Sequence, residues 1–149
     1  DSVRVDIEAR IDAANADVSD PALRLVRGLC GYIDFARADP PRARIMARGL
    51  RAVPAPGAPD IYAGLRADIA RGLAAGRFAL PTSDVGTLFV AGVGTAALAA
   101  VLAPGTTTPF ARMLAQQLCA LLLQAFGLPH DDAERIAAQA AQDVIAARD

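Results

Sequence analysis

One histidine and two cysteines are all the imidazole and thiol groups in this 149-residue chain. His130 follows Pro129 and precedes Asp131 and Asp132, a setting that reads as a helix start, so capping or solvation is its expected role. A metal site needs several converging ligands, and none is expected. Cys30 and Cys119 lie in the apolar stretches Leu29-Cys30-Gly31 and Leu118-Cys119-Ala120, outside any C-x-x-C, and read as buried thiols packed like small hydrophobes. A Cys–His nucleophilic pair stays open, although nothing in the spacing recommends it. The carboxylates of Asp34, Asp39, Asp68 and Glu134 fall on separate helices, where solvent faces or intrahelical pairs with Arg are expected. There is no phosphate-binding loop and no serine elbow. The expectation is therefore no catalytic residue, no cofactor and no enzyme, with a small all-α enzyme or carrier acting on a hydrophobic small molecule as the alternative reading.

Three further patterns carry binding chemistry. Arg37, Arg42, Arg44, Arg48 and Arg51 face a single Asp39, which reads as the solvated face of a short helix or as a contact for an acidic group or neighbouring domain. Gly92-Val93-Gly94-Thr95-Ala96-Ala97 matches G-x-G-x-x-A, but no Asp or Glu occurs between Asp84 and Asp131 to hold a ribose. The match is accidental, and the glycines are expected to let two helices approach. Finally, Tyr32, Phe35 and Met46 surround one proline break, Tyr62 opens a helix, and Phe78 and Phe89 flank another break. Such a cluster is either ordinary core or the wall of an apolar pocket with Tyr32 and Tyr62 as its polar tips.

The elements that must hold these residues are helices. An apolar stripe Val3, Ile7, Ile11 marks a helix over 2–16. Asp20-Pro21 starts another, with Leu25, Val26, Leu29, Ile33 and Ala36 at helical spacing up to Asp39. Pro40-Pro41 breaks it, and a short helix restarts over 42–51. Three prolines and one glycine make 53–59 a loop. Ile61, Leu65, Ile69 and Leu73 mark 60–75, stopped by Gly76. Thr82-Ser83-Asp84 caps 85–102, Thr108-Pro109 opens 110–126 before Gly127, and Asp131 with Glu134 forms a capping box for 133–147. Seven helices with short loops predict an all-α single domain over 1–149.

Composition sets the outer bounds. The chain is 54% hydrophobic and 21% charged, which excludes disorder. Its 15 basic and 16 acidic residues give a net charge of -1, a poor basis for bulk nucleic-acid binding. Every basic residue is Arg and none is Lys, the coding bias of a GC-rich bacterial genome. The first twenty residues hold no apolar h-region, so no signal peptide is read, and two unpaired cysteines point to a reduced, cytoplasmic setting. Residues 85–111 carry no charge, long enough to satisfy the transmembrane rule. However, Pro104-Gly105 divides the run and no Trp, Tyr or basic cluster flanks it, so a helix pair covered by protein is expected, with no membrane.

Gly31-Tyr32-Ile33-Asp34-Phe35-Ala36-Arg37-Ala38-Asp39-Pro40 and Ile45-Met46-Ala47-Arg48-Gly49-Leu50 resemble the fifth and sixth helices of TetR-family transcriptional regulators. Ile69-Ala70-Arg71-Gly72-Leu73-Ala74-Ala75-Gly76-Arg77-Phe78 is similar to the end of the family's seventh helix, and Leu88-Phe89-Val90-Ala91-Gly92-Val93 to its eighth. Leu121-Leu122-Leu123-Gln124-Ala125-Phe126-Gly127-Leu128 with Ala133-Glu134-Arg135-Ile136-Ala137 resembles the ninth and its tail. The resemblance implies an effector-binding and dimerisation domain of a homodimeric repressor. It implies a pocket for a small apolar ligand near Tyr32, Phe35, Met46, Tyr62, Ile69, Phe89 and Val93, and a dimer interface at Val90, Gly94, Ala97, Val101, Leu114, Leu118 and Leu122. The family's N-terminal three-helix DNA-binding domain has no counterpart here, and 2–16 resembles only the connecting fourth helix. DNA contact is thus expected only through that missing domain.

Overall fold

Helix boundaries in this chain are written by local hydrogen bonds. The Asp20 carboxylate accepts from the Ala22 N–H at 3.1 Å, with Pro21 in the first turn. The Thr82 hydroxyl accepts from the Val85 N–H at 3.2 Å, and the Thr107 hydroxyl from the Phe110 N–H at 3.3 Å. At the C-terminal ends, Gly76 (φ +71°) and Gly127 (φ +96°) adopt the left-handed conformation that side chains resist. Each closes a Schellman motif: Gly76 N–H reaches Leu73 O and Arg77 N–H reaches Gly72 O, while Gly127 N–H reaches Gln124 O and Leu128 N–H reaches Leu123 O.

The computed structural model describes residues 2–51, 56–58 and 60–148. Among them run seven helices and no strand: α1 (Ser2–Ala14), α2 (Pro21–Ala38), α3 (Pro40–Arg51), α4 (Ala63–Ala74), α5 (Ser83–Val101), α6 (Thr108–Ala125) and α7 (His130–Val144). The all-α prediction and the number of helices hold. The loop expected over 53–59 lies largely outside the described residues, as does the Arg51 side chain.

α3 and α5 each start two residues earlier than the sequence reading, at Pro40 and Ser83, α4 starts three later, at Ala63, and two expected caps differ as well. The cap of α6 is Thr107 and not Thr108, which sits inside the first turn and is buried. The capping box at Asp131 and Glu134 does not form, because α7 begins three residues earlier than expected, with Pro129 at its cap and no side-chain bond there. Asp131 and Asp132 instead occupy the first turn, where their charges oppose the positive end of the helix dipole.

Helix α2 packs against each of the other six helices. Leu25, Val26, Leu29, Cys30, Ile33 and Ala36 are accordingly all buried. α6 and α7 form an antiparallel pair on one side of it, and α4 and α5 a pair on the other. A cluster of rings joins these pairs: Phe78, just after α4, meets Phe126 edge-on at 5.2 Å between centroids, and Phe89 of α5 lies 6.2 Å from Phe126. The Ala79 N–H donates to the Phe126 carbonyl at 2.8 Å and fixes that junction.

The arginines do more than solvate a surface. Arg37 donates to Thr106 O at 2.7 Å and to the Thr108 hydroxyl at 3.1 Å, tying α2 to the start of α6. Arg42 lies 5.6 Å above the Phe35 ring and pairs with Asp6 and Asp39. Asp34, expected on a solvent face, anchors the C-terminal segment by accepting from the Ala146 N–H at 3.0 Å and pairing with Arg148. Asp68 forms the expected intrahelical pair with Arg71.

Candidate ligand cleft

Helix α1 lies across α2 because two glycines make room for it. A Cβ at Gly31 would stand 2.8 Å from Ile11 Cγ1, and one at Gly28 would stand 3.7 Å from Ile11 Cγ2. The far end of α1 is clamped. Arg24 donates to Asn15 O at 2.6 Å and Val18 O at 3.0 Å, while Arg27 Nε donates to the buried Asn15 Oδ1 at 3.0 Å. α1 touches α2 and α3, but it does not pack on α4. Between α1 and α4, above α2 and α5, the fold leaves a cleft of about 480 Å³. That volume falls within the usual range for small-molecule sites.

The cleft has an apolar floor and a polar rim. Leu25 and Leu29 of α2, Leu65 of α4, and Val90 and Leu98 of α5 supply hydrocarbon. Gly94 opens the α5 wall: a Cβ there would meet only Leu29 Cδ1, at an ordinary 3.6 Å. At one end stand Arg4, Glu8, Tyr32 and Tyr62. Arg4 Nη1 donates to Glu8 Oε1 at 2.7 Å and to Ile61 O at 3.4 Å, and the Tyr32 hydroxyl donates to the same carboxylate oxygen at 3.4 Å. Burial, followed by the negative charge of Glu8, pushes the Tyr32 phenol well above its ordinary value. Burial also raises Tyr62, against the opposing charge of Arg4. Both phenols thus remain neutral hydrogen-bonding groups throughout the physiological range.

Of the expected pocket residues, the fold brings only Tyr32 and Tyr62 to this cleft. Phe35, Met46 and Ile69 are sealed in the packed core. Phe89 turns to the outside of α5 against Phe126, and Val93 is half-buried against the core without lining the cleft. Ile11, Leu25, Leu29, Leu65 and Leu98 were not among the expected set. Each belongs to a helical stripe that core and cavity wall share equally, so spacing alone has no signal to separate them. Arg4 and Glu8, at an i,i+4 spacing, did offer a signal as an intrahelical pair.

The expected interface residues are also redistributed. Ala97, Val101 and Leu122 are buried inside their own protomer, and Val90 and Gly94 border the cleft. Leu114 and Leu118 remain half-buried at the edge of the core. The outward faces belong to other residues. Among the described residues, six of the eight exposed large hydrophobics lie on α5 and α6: Val85, Leu88, Phe89, Phe110, Met113 and Leu121. Leu88, 76% exposed, is the extreme case. Gly92, expected to let helices approach, has open space where a Cβ would be. α5 is long and apolar enough to cross a bilayer, and 33% of its apolar window is buried within the fold.

The histidine and the two cysteines stand apart from one another in their polar contacts. His130 is exposed, within hydrogen-bonding range of Gln124 and 3.9 Å from Glu134, so its polar partners are not thiols. Cys30 and Cys119 are fully buried, and hydrogen bonding with Cys30 and burial both push the Cys119 thiol up, opposite to what a nucleophile needs. No group of three or more potential ligands gathers for a metal among the described residues. Compared with protein families, curated proteins and solved structures, the chain matches none.

Proposed function

We propose that this chain is the effector-sensing and homodimerisation domain of a TetR-like transcriptional regulator. The cleft between α1 and α4 carries the reading: a cavity of ligand size with an apolar floor and few polar groups suits a small lipophilic molecule. Four of its walls, α1, α2, α4 and α5, are separate helices, so a ligand favours one arrangement of them over another. α1 is the most readily displaced of the four. It is held by the Asn15 clamp at one end and by the Arg4 and Asp6 contacts at the other, with Ile7 its only buried residue in between. A shift of α1 would be passed to a DNA-reading domain outside this sequence.

The second part of the proposal concerns the apolar outer faces of α5 and α6. Contiguous exposed hydrocarbon is rare on monomers and costs free energy in water. A second copy meeting this face across a twofold axis would cover Leu88, Met113 and Leu121 in a four-helix arrangement. Light scattering after size exclusion tests this part. The expected result is a dimer for the parent chain and a folded monomer for Leu88→Glu with Leu121→Glu. A parent chain that is monomeric at micromolar concentration removes the dimer from the proposal. A thermal-shift screen of apolar small molecules tests the cleft: stabilisation that Gly94→Leu abolishes supports sensing, and no hit in a broad library argues against it.

A further inference from the structure

The outer face of α5 and α6 restricts what can cover it. Beyond Asp84, which pairs with Arg66 in the first turn, α5 carries no charge. Arg112, the one charge of α6, donates to the Ile145 carbonyl. A charged partner surface would lose its hydration here with no counter-charge to replace it. The other two exposed large hydrophobics among the described residues, Val5 and Ile45, stand on α1 and α3 and make no second face of this kind. Like therefore meets like, and a surface that meets its own copy closes as a twofold contact. The size suffices. α5 has 19 residues and α6 has 18. At about 1.5 Å per residue and about 9 Å between axes, the pair presents roughly 28 by 20 Å, on the order of 560 Å² in flat projection. Stable interfaces use about 800 Å² of accessible surface per partner, which the relief of side chains on such an area supplies.

The register comes from a glycine with no task inside its own protomer. Val85, Leu88, Phe89, Gly92, Ala96 and Ala99 form the exposed stripe of α5, and Gly92 is its midpoint. A Cβ at Gly92 would meet nothing within 4 Å. Its backbone is not left-handed either, unlike that of the glycines at the helix ends. A glycine in a helix interior weakens the helix, and neither crowding nor conformation within the chain accounts for this one. Close approach of another backbone does. The stripe is also graded, with large side chains before Gly92 and alanines after it.

We infer that α5 crosses its own copy antiparallel at Gly92, so that Leu88 packs on the partner's Ala96 and Val85 on the partner's Ala99. This deepens the dimer half of the proposed function and rests on the α5–α6 face being the interface. On a twofold axis at Gly92, each residue n places before the glycine meets the residue n places after it, and large meets small both times. Phe110, Met113 and Leu121 of α6 flank the crossing. Val90, Gly94 and Leu98, on the opposite side of α5, border the cleft. One helix thickness then separates each cleft from the twofold axis.

Cysteine cross-linking of the whole chain with diamide, read on non-reducing gels, tests the register. Cys30 and Cys119 are buried, so the parent is expected to give no linked dimer. Gly92→Cys is expected to link to its own copy in most of the chains. Leu88→Cys alone and Ala96→Cys alone are expected not to link, because each lies about 12 Å along the helix from its copy, beyond the reach of about 7 Å between Cα atoms that a disulfide allows. Mixed together, those two variants are expected to link to each other. The mixed pair decides if Gly92→Cys itself fails to dimerise. A parent dimer in which neither Gly92→Cys nor the mixed pair links overturns the register while leaving the dimer standing. Linking of Gly92→Cys only to Leu121→Cys also overturns it, by placing α5 on the partner's α6. A parent that light scattering shows to be monomeric overturns the dimer reading and this inference together.

Discussion

Gly94→Leu separates a cleft wall from a protein contact. A Cβ at position 94 meets only Leu29 Cδ1, at 3.6 Å, so the backbone needs no adjustment and the rest of the leucine enters open space. Replacing a helix-interior glycine by leucine gains about 0.8 kcal/mol in helix propensity. Against about 480 Å³ of cleft, four added carbons remove roughly 100 Å³, taking the ~30 Å³ of a water as the scale. The variant should therefore be as stable as the parent or more so, by about 1 kcal/mol, a rise in Tm of about 3 °C for a chain this size. A compound that fills the parent's cleft should bind at least about tenfold more weakly, a loss of about 1.4 kcal/mol. Thermal melts, light scattering and calorimetric titration of a screen-derived ligand read the three quantities. A Tm lowered by several degrees, or a change of oligomeric state, would refute the reasoning, because it would place residue 94 in a packed contact.

Three other outcomes follow from the same geometry. Gly72→Ala puts a Cβ 2.2 Å from two ring carbons of Phe78, which is buried and edge-on to Phe126, so the ring must move. Overpacking of about 1–3 kcal/mol outweighs the roughly 1 kcal/mol gained in helix propensity, and a Tm equal to or above the parent's would contradict this. With two tyrosines and no tryptophan, absorbance at 295 nm follows both phenols. Since folding raises both above 10.0, their neutral forms add stability below that pH that is lost as the pH rises through the folded values. Neither should be half-ionised at pH 10.0 while the fold persists, and full ionisation of both phenols by that pH in the folded protein would count against their burial. Burial raises Asp20, but the Arg77 guanidinium and the Ala22 N–H outweigh it and hold the carboxyl below 3.8. Its stabilisation is present above that pH and fades as the pH drops through the folded value, so Asp20→Asn should melt lower at pH 7, with the gap narrowing in acid.

Much of the scaffold was legible because its signals are local. Asp20 before Pro21, Thr82, and glycines 76 and 127 each act on the hydrogen bonds of a single turn, and no distant contact is needed to make them cap or stop a helix. Where α1 to α4 and α7 mix charged with apolar residues, the stripe also names the buried face, as Ile7 and the Leu25–Leu29–Ile33 row show. The two phenols of the cleft were legible as well, since a tyrosine among so few aromatics stands out against an aliphatic background.

The facing of α5 was not. Val85 to Val101 is apolar or small on every side, so sequence spacing has no phase to offer, and Val90, Gly94, Ala97 and Val101 were as good an outer face as Leu88, Gly92 and Ala96. Contact with α2 and α4 decides the matter by turning the first set inward and leaving the second in the open. The cleft is likewise a property of assembly. Leu25, Leu29 and Leu65 would be ordinary core residues had α1 settled onto α4, and they line a cavity because glycines 28 and 31 seat α1 on α2 instead. Local chemistry therefore sets where each helix begins and ends. Which hydrocarbon meets protein, ligand space or an open face depends on neighbours far away in the chain, and no single stretch of residues encodes them.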